Sequence, residues 1–347
     1  MTSSLSSTPR HEAEKILGVG VVGLGVGEQH AHAFKARPDC RVLWLCDHSE
    51  QQARVVRDRV GAGALAADLA APLADPAVDI VSIASYDDMH YAEVKACFGA
   101  GKHVFVEKPL CRTLAEARDL KQAWLAAGRP HLRSNLVLRE APVYVWLKRL
   151  IDDGVLGRIY AFDGDYLYGR LHKITEGWRQ DIENYSVMEG GGVHIIDLML
   201  WLLGEQPTEV TTVGNRLCTE GTAFRYDDFQ AATFAFPSGA IGRITANFGC
   251  VHRHHHVMRV FGTRGTFVLD DCGPRLHLAR EDKLRAAPVD LPHLPASKGV
   301  LIPAFVDAIM AGADAAPAAQ REFDLISVCA ASDLSHQTRR PATIEYV

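Results

Sequence analysis

Val104-Phe105-Val106-Glu107-Lys108-Pro109-Leu110 is the stretch from which the rest of the chain is read. Val, Phe and Val favour a buried strand. Pro109 has no amide proton to give to a ladder, so the strand ends there. An acid and a base at the end of a buried strand serve packing poorly. At the carboxyl end of a parallel strand they would face the crevice where open α/β sheets bind ligands. Taken alone, the stretch also reads as a strand that merely ends in charge, and its neighbours must decide.

Upstream, residues 16–23 are apolar and Gly-rich, a first buried strand. Gly23-Leu24-Gly25-Val26-Gly27 follows directly, and residues 28–36 have helical character before Pro38. Gly23 permits a tight turn, Gly25 lets backbone approach a pyrophosphate, and the free amides of the next helix favour the anion. The third glycine of a GxGxxG pattern falls one place early, at Gly27, and Glu28 stands in its expected position. Close helix–strand packing is therefore left open. Residues 41–46 form a second strand with Asp47 at its end, 22 residues after Gly25. A carboxylate there can accept both ribose hydroxyls and repels a 2′-phosphate, which favours NAD over NADP. His48 and Arg54 lie close enough in sequence to blur that preference. Further strands at 78–84 and 104–106 alternate with helices at 49–60 and 91–98. Thr113-Leu-Ala-Glu116 is a capping box opening a helix that ends at Gly128. Strands alternating with helices over short loops predict a doubly wound parallel sheet.

After Ser134-Asn135-Leu136 the pattern changes. One helix, 143–151, precedes strand-like runs at 159–168, 209–213, 231–236, 241–248, 257–261 and 266–269. Pro237-Ser238-Gly239 and Gly262-Thr-Arg-Gly265 read as hairpin connections. This predicts a second α/β domain with a large, mostly antiparallel open sheet. A helix over 190–203 is apolar on nearly all sides and therefore buried. Residues 287–297 read as a surface loop, and helices over 301–310 and 323–334 close the chain. The predicted organisation is a disordered tail over 1–15, a dinucleotide-binding domain over 16–138, and a substrate-binding and oligomerisation domain over 139–347.

The 347 residues are 48% hydrophobic and 23% charged, with a formal charge of −5. No basic excess is available for phosphate backbones, which argues against nucleic acid as a partner. No apolar run is long enough for a membrane. The N-terminal residues lack the apolar core of a secretion signal. Eight cysteines without a CxxC pair read as reduced packing residues. Together these point to a cytoplasmic enzyme. His252-Arg253-His254-His255-His256 invites a metal. On a strand, Cys250, His252, His254 and His256 would share one face but spread over about 20 Å, too far for one ion. The expectation is no metal and a polar strand face near a cleft or interface. His194 and Asp197, three apart near the start of the buried helix, share a face. Either Asp197 satisfies a core histidine, or the pair meets a ligand.

Glu107-Lys108-Pro109, the glycine turn and Gly190-Gly-Gly-Val-His194-Ile-Ile-Asp197 together resemble the glucose–fructose oxidoreductase/inositol dehydrogenase/rhizopine-catabolism (Gfo/Idh/MocA) family. Ile83-Ala-Ser-Tyr-Asp-Asp-Met-His90 is similar to its Ala-Thr-Pro-Asn-x-x-His segment. Residues 147–157 and 261–266 resemble a helix and a late hairpin of the family. The resemblance implies NAD as cofactor, NADP less so, and hydride transfer between nicotinamide and a secondary alcohol or ketone of a sugar, sugar nucleotide or cyclitol. It implies Lys108 and His194 at the reacting alcohol, and cofactor contacts from Gly23, Leu24, Gly25, Val26, Gly27, Asp47, His48, Ser85, Tyr86, His90, Glu107 and Lys108. Arg170, Lys173, Trp178, Arg179, Tyr185 and Asp197 are the candidates for the substrate. The basic, aromatic stretch among them also reads as a solvated loop. The resemblance further implies a homodimer or homotetramer through the second sheet. Two other activities stay open: a redox-neutral enzyme with tightly held NAD, and a non-catalytic NAD-binding sensor. The chain departs from the family pattern four residues before the histidine. Gly190 stands where many relatives carry Asp, and Tyr185, Asp181 and Glu189 are candidates to replace that acid. Asp87 and Tyr86 also replace the family's Asn and Pro.

Overall fold

The computed structural model describes residues 15–281 and 286–347. The predicted tail lies, apart from Lys15, outside the described residues. The first domain alternates β1 (Leu17–Val22), α1 (Gly27–Lys35), β2 (Cys40–Cys46), α2 (Glu50–Val60), β3 (Ala64–Ala66), α3 (Ala70–Ala74), β4 (Ile80–Ile83), α4 (His90–Gly99), β5 (His103–Val106), α5 (Leu114–Ala126) and β6 (Leu132–Ser134). Its six strands are parallel and ordered β3-β2-β1-β4-β5-β6. Every residue of β1 is buried, as a strand covered on both faces requires. The order reverses between β1 and β4, and the crevice at their carboxyl ends is where such sheets take a dinucleotide. The capping box at Thr113 and Glu116 forms as expected.

Two elements here lacked a sequence signal. β3 and α3 are short and Ala-rich, so neither period shows. Edge pairing with β2 makes β3 a strand. The early glycine also proves functional in packing. A Cβ on Gly27 would sit 3.1 Å from Val21 Cγ1, so Gly27 itself permits the close helix–strand contact.

The second domain contains α6 (Pro142–Asp152), β7 (Ile159–Leu167), α7 (His172–Thr175), α8 (Val193–Leu203), β8 (Glu209–Asn215), β9 (Phe229–Ala235), β10 (Ile241–Asn247), β11 (His255–Gly262), β12 (Thr266–Asp270), β13 (Gly273–His277), β14 (Ala287–Pro288), α9 (Ile302–Met310), α10 (Ala316–Thr338) and β15 (Ala342–Thr343). Nine strands form one sheet, ordered β14-β13-β12-β11-β7-β10-β9-β8-β15. All its pairs are antiparallel except β7–β10. One face packs on α8 and α10, while Tyr160 and Ile241 stay exposed on the other. A boundary at 138/139 separates the two sheets but not the two cores. Phe305 and Val306 of α9 pack with β1 and α1, and α10 places Phe323 among first-domain residues and Val328 among second-domain ones.

Candidate active site

A cleft of about 450 Å³ opens between the domains at the carboxyl ends of β1, β4 and β5. Lys108, just beyond β5, and His194, in the first turn of α8, both line it. The Lys108 ammonium donates to the Gly190 carbonyl at 2.9 Å. Burial lowers its pKa from the ordinary value; Asp87 opposes the shift and Arg179 reinforces it. His194 is buried, and its Nδ1 has no partner among the described residues. Burial, then Lys108 and Lys298, push this imidazole well below its ordinary pKa. It is therefore neutral near pH 7 and able to take a proton.

Glu107 lines the same cleft. Its carboxylate accepts from Asn135 Nδ2 at 2.6 Å and lies 3.4 Å from His30 Nε2. Burial pushes its pKa up, but His30, then the Lys298 charge and the Asn135 bond, outweigh this and hold it at about 2. His30 is itself fixed by Ser82 Oγ at 3.0 Å, so the base of Lys108 rests on a buried polar network.

On the nucleotide side, Gly23 turns the chain with φ +78°, and the Cβ direction of Gly25 meets open space. α1 begins without a side-chain cap, leaving its first amides free for an anion. Asp47 is buried at the end of β2. Its two oxygens accept from Leu24 N and Ser49 N, each at 2.8 Å, and each keeps a second lone pair for a ribose hydroxyl. Leu24 and Val26 complete the turn, and the arrangement fits a dinucleotide. His48 is exposed beside Asp47, and its ring stands 6.5 Å from that of Tyr86. Ser85 lines the cleft and donates to Glu93 at 2.5 Å. His90 does not reach the cleft. Fully buried, it bonds the Pro109 carbonyl at 2.6 Å and the Ser85 carbonyl at 3.3 Å, which ties β4 to β5 behind the site.

Among the substrate candidates, Arg170, Trp178 and Arg179 line the cleft. Trp178 stacks on Tyr86 at 4.7 Å, a contact between the two domains. Lys173 is exposed on the short α7 and does not line the cleft. Asp197 turns away from the cleft. It forms a two-pronged pair with Arg139, with Nε at 2.8 Å from Oδ2, and it neither lines the cleft nor bonds His194. Tyr185 is buried behind Gly190, where its phenol accepts from Arg179 Nε at 3.1 Å. A Cβ on Gly190 would lie 2.0 Å from that phenol oxygen, so the ring occupies the space a side chain there would need. Glu189 is buried on the opposite side, against Asp333, and Asp181 is exposed.

The histidine cluster follows the expected alternation from His254 to His256 but not at His252, because β11 starts only at His255. His252 turns outward to Asp271 at 3.0 Å. His254 and His256 line the cleft, while His255 faces His293. Among the described residues, no three His, Cys, Asp or Glu side chains assemble as a metal site. Sequence reasoning missed Tyr166 and Lys298. Strand alternation places Tyr166 on the cleft face of β7, but nothing local marks Lys298. Its backbone is pinned by Gln29 and Asn135, each through a bond of 2.8–2.9 Å.

Residues 17–131 match the sequence profile of an oxidoreductase family with an NAD-binding Rossmann fold, and residues 144–268 match the GFO/IDH/MocA C-terminal domain. An inositol 2-dehydrogenase of Saccharopolyspora erythraea is 30% identical over 199 residues, 56% of this chain and 56% of that protein. This chain therefore matches about half the length of that relative. The levoglucosan dehydrogenase of Pseudarthrobacter phenanthrenivorans is 25% identical over 306 residues, 78% of this chain and 76% of the relative. A solved structure of a levoglucosan dehydrogenase with NADH superposes with a TM-score of 0.84 at 22% identity, covering 96% of this chain and 100% of that one. At that identity the likeness concerns the fold.

Proposed function

Because this chain belongs to the Gfo/Idh/MocA oxidoreductase family, we propose that it is an NAD-dependent enzyme moving a hydride between nicotinamide and a secondary alcohol or ketone of a sugar-like ring. The observation that carries this reading is the meeting of Lys108, from the nucleotide domain, and His194, from the second domain, in one cleft. Bound NAD supplies the hydride acceptor. Asp47 takes the ribose hydroxyls, and the amides of the glycine turn and of α1 take the pyrophosphate. Lys108 donates to the reacting oxygen and favours its developing negative charge. The Gly190 carbonyl aims that ammonium, and the Glu107–Asn135–His30 network steadies its backbone. His194, neutral and lining the cleft, accepts the hydroxyl proton as hydride leaves carbon. The open sheet face carrying Tyr160 and Ile241 fits assembly into a homodimer or homotetramer.

The test is a panel of sugars, sugar acids, sugar phosphates, inositols and sugar nucleotides incubated with the protein and NAD, followed by NADH absorbance. NADH should accumulate with at least one polyol. Protein that binds no NAD overturns the reading.

A further inference from the structure

The chain carries a formal charge of −5, yet its cleft is positive. Lys108, Arg170, Arg179 and Lys298 line it against only Asp87 and Glu107. Glu107 is already engaged by Asn135 and His30. Asp87 is buried with Oδ2 unpartnered, and its field acts on both Lys108 and Arg179. Among the described residues, Arg170, Arg179 and Lys298 have no carboxylate within ion-pair distance, although all three line one cleft. The Arg179 guanidinium is half-buried, and without a counter-charge it is unfavourable unless a ligand supplies one; Arg170 is exposed beside it and adds its charge to the same wall.

The two arginines are also pre-positioned. The Arg179 guanidinium stands 4.2 Å from the Trp178 ring centroid and 5.9 Å from that of Tyr168. Arg170 stands 5.7 Å from the same Tyr168 ring. Among the described residues, Arg179 bonds through Nε alone, to Tyr185, which leaves its terminal nitrogens for a two-pronged contact. Beside them, His256 is buried in the cleft wall, and neither ring nitrogen has a partner among the described residues. His254 gives only Nδ1 to the Leu167 carbonyl, at 3.1 Å. Burial, then Arg170, holds His254 at about 4, so it is a neutral hydrogen-bonding ring at pH 7. The wall thus offers neutral groups for hydroxyls next to unpaired cations for an anion.

We infer that the substrate is a polyol bearing a carboxylate or phosphate, with its anionic group held by Arg170 and Arg179 beside Lys298. This rests on the dehydrogenase reading and narrows it, because a neutral sugar would leave these cations unpaired. The pyrophosphate of the cofactor is met by the amides of the opposite wall, so it does not account for the two arginines.

The experiment is calorimetric titration of the NADH-loaded protein at low salt with malonate and, separately, inorganic phosphate. At least one probe should bind at a single saturable site. Tighter malonate binding assigns a carboxylate, and tighter phosphate binding a phosphate. Arg170→Gln/Arg179→Gln should weaken that binding by ~10-fold or more, the worth of a charge-assisted contact. Arg170 is exposed, so Arg170→Gln alone serves if the double variant misfolds, with a loss of about 3-fold or more expected for its share of that contact. Arg243→Gln, on the far sheet face and paired with Asp163, should change nothing. NADH binding is measured first, and its absence sinks the dehydrogenase reading together with this inference. NADH binding without probe binding overturns this inference alone. So does probe binding that the arginine variants leave intact, which would mark an adventitious ion only.

Discussion

Asp197→Ala separates a structural acid from a catalytic one. Asp197 is 1% exposed, and its only cation partner among the described residues is Arg139, whose side chain is 19% exposed. The guanidinium meets both carboxylate oxygens, with Nε at 3.0 and 2.8 Å from them. Removing one partner of a buried pair costs about 3–5 kcal/mol, because the other charge is left without compensation. Glu322 moderates the loss. Burial raises its pKa first and Asp197 second, so deleting Asp197 lets Glu322 ionise more readily and offer Arg139 a replacement charge. The expected destabilisation is therefore near the lower limit, about 3 kcal/mol. That is a large part of a typical total of ~5–15 kcal/mol. Urea unfolding should show a lower midpoint at unchanged slope. Turnover at a temperature where the variant is folded should stay within about 3-fold of wild type, since Asp197 stabilises no developing charge in the cleft. An unchanged midpoint with turnover reduced by ~10-fold or more would refute the structural role.

NAD should bind more tightly than NADP, and Asp47→Ser should narrow the gap, as parallel titrations would report. His194 has a depressed pKa, so its base form persists below the ordinary value of about 6.5, and the acidic limb of the oxidation profile should lie below that pH. His194→Asn should abolish the limb, and a limb at pH 7 or above would contradict the assignment. Glu107 is held at about 2, so its contribution to stability is full above the ordinary carboxylate range and is lost as pH falls through about 2. The gap in urea midpoint between wild type and Glu107→Gln should accordingly shrink between pH 5 and pH 2.

Local chemistry made the first domain legible. A strand, a glycine turn and a helix are neighbours in sequence, and an acid at the end of β2 is found by counting. The limits appear where partners are distant. Arg139 and Asp197 are 58 residues apart, so no spacing rule pairs them. His194 and Asp197 share a helix face only loosely, because three residues leave roughly 60° between them. That angle sends one side chain to the cleft and the other to Arg139. The histidine alternation held from His254 to His256 and failed at His252, because it assumed a strand from 250, whereas the ladder begins at His255. Gly190 could be seen as a missing acid. That Tyr185 fills the space follows only from the fold, which presses the phenol against the backbone. Lys298 is brought to the cleft by loop bonds to Gln29 and Asn135 that no local pattern announces.

Lys108→Ala, measured for both turnover and NAD affinity, tests the central claim most directly. The glycine turn and Asp47 hold the far end of the cofactor and remain intact, so NAD affinity should change little. Turnover of the polyol identified in the NADH screen should fall by ~100-fold or more, because the variant removes a donor to the reacting oxygen and its positive charge. Near-normal turnover with intact NAD binding would contradict the account of this cleft as an alcohol-oxidising site.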